Sequence, residues 1–77
     1  MNIKSKLIKQ GIEYGVYEFD NNYDYAIDTG PNMTSMGLAE EFLIHNAPLT
    51  LTDDEWLDIH QEIMDGIDRK IFPDFYR

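Results

Sequence analysis

"GIEYGVYEFDNNYDYAIDT", residues 11–29, holds two runs rich in aromatic and β-branched residues on either side of Asn21-Asn22. Such residues fit a pleated, half-buried surface. Asparagine accepts the positive φ that a two-residue hairpin turn demands. The expectation is a β-hairpin over residues 12–29. With a two-residue turn, Val16 faces Ile27, and Ile12, Tyr14, Val16, Tyr23, Tyr25 and Ile27 share one face. A three-residue loop instead sets Tyr17 and Phe19 against Tyr25 and Tyr23, and Glu18 against Asp24. Like charges directly opposite are unfavourable, which favours the shorter turn.

The same stretch places Asp20, Asn22, Asp24 and Asp28 at positions 1, 3, 5 and 9 of an EF-hand-like loop. That loop needs Gly at its sixth position and a bidentate Glu at its twelfth. Here those positions hold Tyr25 and Pro31, so no metal site is expected.

Outward from the hairpin, "IKSKLIK" (3–9) alternates Ile3, Ser5 and Leu7 with Lys4 and Lys6, as a lysine-protected edge strand does. Ile3 and Leu7 are also four apart, as in a short helix; a strand is the expectation. "GPNMTS" (30–35) reads as a loop. Thr34 or Ser35 then caps a helix over 36–45, with Leu38, Ala39, Phe42 and Leu43 on one face and Asn46 and Pro48 as its stop. In "LTLTDDEW" (49–56), Thr52 and Glu55 have capping-box spacing, and Leu51 and Trp56 that of a hydrophobic staple. This second helix ends by residue 72, before Pro73. The fold class expected is α+β: a small antiparallel sheet, with a hairpin and a third strand, covered by two C-terminal helices in a single domain, 1–77.

The chain has 77 residues, 43% of them hydrophobic, and lacks cysteine, which excludes disulfides and thiolate zinc sites and fits a reducing cytoplasm. "MNIKSKLIKQ" has no apolar core of a signal peptide, and no apolar run reaches membrane-spanning length.

Net charge is −9. Lysine and arginine are absent between Gln10 and Asp68, a span that holds all but one of the 15 acidic residues. Direct nucleic-acid and anionic-membrane binding call for the opposite sign; a basic protein partner suits this one. On the second helix, Trp56, Ile59, Ile63, Ile67 and Ile71 form an apolar stripe, and Asp54, Asp58, Glu62, Asp65 and Asp68 lie opposite. Residues four apart rise about 6 Å, and the duplex phosphate backbone is itself a dense negative rod. Asp20, Asp24 and Asp28 add acids from the hairpin.

Small size, absence of cysteine, strong acidity and a compact α+β pattern make the chain look like phage-encoded inhibitors, the DNA-mimic antirestriction and anti-CRISPR proteins. The resemblance is one of overall character along the whole chain and assigns no residue a role. It implies a viral or mobile-element origin, a place in the host cytoplasm and a host nuclease complex as target.

Catalysis is not expected. His45 and His60 lack metal-ligand spacing, Ser5 and Ser35 sit in no nucleophile motif, and no phosphate-cradling glycine pattern occurs. No cofactor is expected. Two function classes follow. The first is an inhibitor that occupies the basic nucleic-acid-binding surface of a host nuclease through Asp20, Asp24, Asp28, Asp54, Asp58, Glu62 and Asp65. The second is a protein–protein adaptor, or a homodimer, that works through Tyr17, Phe19, Tyr23 and Tyr25, with acidity serving solubility.

Overall fold

The computed structural model describes residues 3–21 and 33–73. They form α1 (Ile3–Asn21), α2 (Met33–Asn46) and α3 (Asp53–Ile71), with no strand among the described residues. The α+β expectation is thereby overturned in favour of a three-helix bundle. The expected edge strand 3–9 and the first hairpin strand are one continuous helix. The second half of the expected hairpin lies outside the described residues.

The period of α1 explains the correction. Leu7, Gly11 and Gly15 recur every fourth residue and are buried, and Ile8, Ile12 and Phe19 flank that stripe, half-buried. A strand would send Gly11 and Ile12 to opposite faces. The helix keeps both against α3. A Cβ built on Gly11 would stand 2.5 Å from Ile63 Cδ1, and one on Gly15 would meet Ile67 closer still. The fit is reciprocal, because Gly66 of α3 makes the same room for Ile12 of α1.

These pairs run in the same direction along both helices, and at the far end the rings of Phe19 and Phe72 meet edge to face at 5.9 Å. So α1 and α3 are parallel. α2 packs against both of them. Tyr14 of α1 packs its ring 5.6 Å from that of Phe42, and His60 of α3 reaches the Met36 carbonyl. The core is Leu7, Leu38, Ala39, Phe42, Leu43, Ile59, Ile63 and Ile67.

Energetics favour the seam over propensity. Each interior glycine weakens a helix by about 1 kcal/mol relative to alanine. Ile59, Ile63 and Ile67 are each 0% exposed, and full burial of such a side chain contributes about 1.5–3 kcal/mol. The three buried isoleucines outweigh the glycines of the seam, two of which make room for Ile63 and Ile67.

The expected start of α3 is present. The Glu55 amide donates to Thr52 Oγ1 at 3.2 Å, and the Thr52 amide donates to Glu55 Oε1 at 3.0 Å. These hydrogen bonds hold the Glu55 carboxyl below its ordinary range. α2 begins three residues earlier than the capping signal implies, so Ser35 is not a cap but a buried residue within the helix. Asn21 and Asn46 close α1 and α2 alike, each side-chain amide donating at 2.8 Å to the carbonyl four residues back.

The glycine seam makes a paired prediction. Gly37 is exposed and has nothing within 4 Å of an added Cβ, so Gly37→Ala should stabilise the fold by about 0.5–1 kcal/mol. Gly15→Ala is the same chemical change against a fully buried Ile67, whose Cγ1 and Cδ1 would both stand in the way of the new Cβ. It should destabilise by about 1–3 kcal/mol, the usual range for overpacking. Urea unfolding followed by helical circular dichroism separates the two, and equal gains from both would show that the seam does not need its glycines.

Candidate functional site

The outer face of α3 carries the acids expected there. Asp54, Asp58 and Glu62 are exposed and Asp65 is half-buried. Gln61 donates to Asp65 Oδ1 at 3.0 Å along this face. Asp68 departs from the expectation: it is 0% exposed and engaged in an interaction inside the fold, so it is not part of the acidic surface. Asp20 stands exposed near the end of α1, at the opposite end of the bundle from Asp54. Asp24 and Asp28 lie outside the described residues.

The surface is less one-signed than the linear sequence. Because α1 runs parallel to α3, its N-terminal lysines lie beside the acidic N-terminal half of α3. Lys4 forms an ion pair with Asp58. The hydrogen bond to Asp58 and its charge, reinforced by Glu62 and Glu55, hold the Lys4 ammonium above its ordinary range. Lys9 and Lys70 line the α1–α3 groove together with Glu13 and Glu62. One edge of the acidic stripe is thus interleaved with lysine. The other edge, towards α2, has no basic neighbour in sequence from Gln10 to Asp68 except the two histidines.

The expected aromatic patch is divided. Tyr17 is exposed at 60%. Phe19 is half-buried against Phe72 and is not a free contact. Tyr23 and Tyr25 lie outside the described residues. Tyr14 packs on the core, and its hydroxyl donates to the Glu41 carboxylate.

Sequence reasoning missed an apolar surface on the α2–α3 side. Met36, Ile44, Leu49 and Leu57 are exposed at 41%, 66%, 103% and 59%. Ile44, Leu49 and Trp56 line one cleft, with Leu51 and Asp53 at its sides. Its floor continues along α3, where the His60 ring stacks on Trp56 at 5.0 Å and 10°. His60 Nε2 lies 3.3 Å from the Met36 carbonyl oxygen, placed for the Nε2–H tautomer to donate. The signal was present in α2, whose Met36 and Ile44 fall off the face formed by Leu38, Ala39, Phe42 and Leu43. Leu57 likewise stands off the Trp56–Ile71 stripe.

Among the described residues no group of three or more His, Asp or Glu side chains could hold a metal ion. None of the described helices is long and apolar enough to cross a membrane. The arrangement offers shape, apolar area and negative charge.

Burial, then the Glu41 hydrogen bond and the nearby Glu41 and Glu18 charges, push the Tyr14 hydroxyl from the ordinary 10.0 up to about 12. The folded state keeps this proton longer than the unfolded chain does. Its contribution to stability is complete below the unfolded value and is lost as pH rises towards the folded one. Tyr14→Phe should therefore flatten the decline in stability between those two values, measured by urea unfolding at stepped alkaline pH. An unchanged slope would place the alkaline loss elsewhere.

No known protein family, curated protein or solved structure matches this chain.

Proposed function

We propose that this chain is a non-catalytic, cytoplasmic protein-binding inhibitor or regulator whose target is a basic protein surface, of the kind that nucleic-acid-handling proteins present. The observation that carries this reading is the row of acids on α3. Asp54, Asp58 and Glu62 follow one another at one-turn spacing, about 6 Å apart along the axis, on a helix whose other side is locked into the core. A rigid row of carboxylates needs no ordering on contact, and with net charge −9 it steers towards basic partners. Of the features shared with phage-type inhibitors of nucleases, small size, absence of cysteine and strong acidity still support this reading, while the α+β pattern no longer does.

The Lys4–Asp58 pair modifies the mimicry argument. The stripe offers its charge mainly from Asp54, Glu62 and Asp65, while Asp58 is partly spoken for. The exposed Met36, Ile44, Leu49 and Leu57 favour a second contribution, apolar contact with the same partner.

The experiment is capture from a host lysate on the tagged protein, eluted by a salt gradient and challenged with duplex DNA. A basic nucleic-acid-binding protein should be released by both. Asp54→Asn, Glu62→Gln and Asp65→Asn together should lower its retention at least about tenfold, as expected when several steering charges are removed. Fold stability should change by no more than about 0.5 kcal/mol, because relief of repulsion is offset at Asp54 by loss of a favourable charge in the first turn. Undiminished retention by the triple variant would remove the α3 acids from the contact.

A further inference from the structure

We infer that the α2–α3 groove is the seat for an amphipathic, lysine- or arginine-bearing helix of the partner. The inference rests on the basic-partner reading above and adds where that partner docks and in what form.

Four of the six exposed large hydrophobic side chains among the described residues fall on this one side: Met36, Ile44, Leu49 and Leu57. They flank a floor made by Trp56 and His60, held flat by ring stacking and by the His60 contact to α2. Met36 and Ile44 are eight residues apart on α2, about 12 Å of helix. That is the length over which a bound helix presents anchors at i, i+4 and i+7. Methionine at such a seat adapts its shape to different anchors.

Charge selects the occupant. The groove is bordered by Glu40 on α2 and by Asp53 and Asp54 on α3, all exposed. Neither helix carries a lysine or arginine before Arg69. A second copy laid on this face would bring acidic border against acidic border. A nucleic acid or an anionic membrane would meet the same repulsion. A helix with an apolar stripe and basic flanks satisfies both the floor and the border.

The molecule supplies its own reporter, since Trp56 is its one tryptophan and lines this groove. The test titrates two synthetic peptides of about 14 residues, some four turns, and follows Trp56 fluorescence. One arranges leucine and lysine so that the leucines share a helix face. The other has the same composition in an order that scatters them. The amphipathic peptide should shift Trp56 emission and bind at least about tenfold more tightly. Ile44→Gln with Leu57→Gln should erase that advantage. Both positions are exposed, and helical circular dichroism confirms the fold of the variant.

Equal binding of the two peptides, unaffected by the glutamine variant, would overturn the apolar seat and leave the charge-based function standing. Binding of neither peptide at low salt would overturn both. Concentration-dependent dimerisation of the protein alone, abolished by the same variant, would assign the groove to a second copy and overturn the proposed occupant.

Discussion

The approach of α1 to α3 through three glycines is the contact on which the rest of the structure depends. Gly11 and Gly15 let Ile63 and Ile67 reach the α1 backbone, and Gly66 returns the favour for Ile12. Any side chain at these positions would push the two helices apart, since ridges and grooves set interaxial distance through the residues at the contact. With α1 and α3 in close parallel register, Leu38, Phe42 and Leu43 of α2 can close over both. A 77-residue chain has a limited core, and close helix approach is how this one buries Ile63 and Ile67 completely.

Parallel packing also reconciles a charge pattern that is unfavourable for α1 alone. This helix has no acid in its first turn and no basic residue in its last. Its lysines crowd the N-terminal half, against the helix dipole. α3 has the favoured arrangement, with Asp53, Asp54 and Glu55 at its start and Arg69 and Lys70 at its end. Set side by side in the same direction, the two patterns complement each other. Lys4 meets Asp58, and Glu13 shares a groove with Lys70. Exposed pairs of this kind contribute little to stability. Their effect is on the surface, where they mask part of the acidic stripe and leave its α2 side the more negative.

α3 and α2 were legible in the sequence because their signals are local. A capping box, a fourfold isoleucine stripe and an Asn-Pro stop lie within one helix each. α1 was not legible, for a physical reason. Tyr14, Val16, Tyr17 and Phe19 favour strands in isolation, and two glycines lower helix propensity. The value of those glycines appears only when Ile63 and Ile67 are placed opposite them, about fifty residues away in sequence. Gly66 shows the same limit: alone it looks like a weak point in a helix, and in the bundle it is a socket. The acids Asp54, Asp58, Glu62 and Asp65 were legible from helical spacing, but their neighbours were not. The absence of lysine from Gln10 to Asp68 describes the chain, whereas the surface mixes Lys4 and Lys9 back among them. Burial of Asp68 was equally hidden, because periodicity alone assigns it to the wet face.

The apolar side chains left outside the core bear most directly on the proposed function. Leu57 and Ile44 contribute little to the fold where they stand, since stabilisation follows the apolar area removed from water, and both are more than half exposed. Trp56 is different: it is half-buried, anchored by His60 on one side and by the core on the other. A large aromatic held rigid beside exposed leucine and isoleucine, inside an acidic border, has the anatomy of an interface centre, where a few buried anchors supply affinity and the surrounding charges supply orientation. The acidic stripe alone would bind any basic surface to a similar degree, and would release it with salt. Under the proposed function, a fixed apolar groove would convert that general attraction into discrimination, because only a partner with matching anchors would gain from both. The two surfaces share α3, so the helix most firmly held in the core is also the one that would bear the contact.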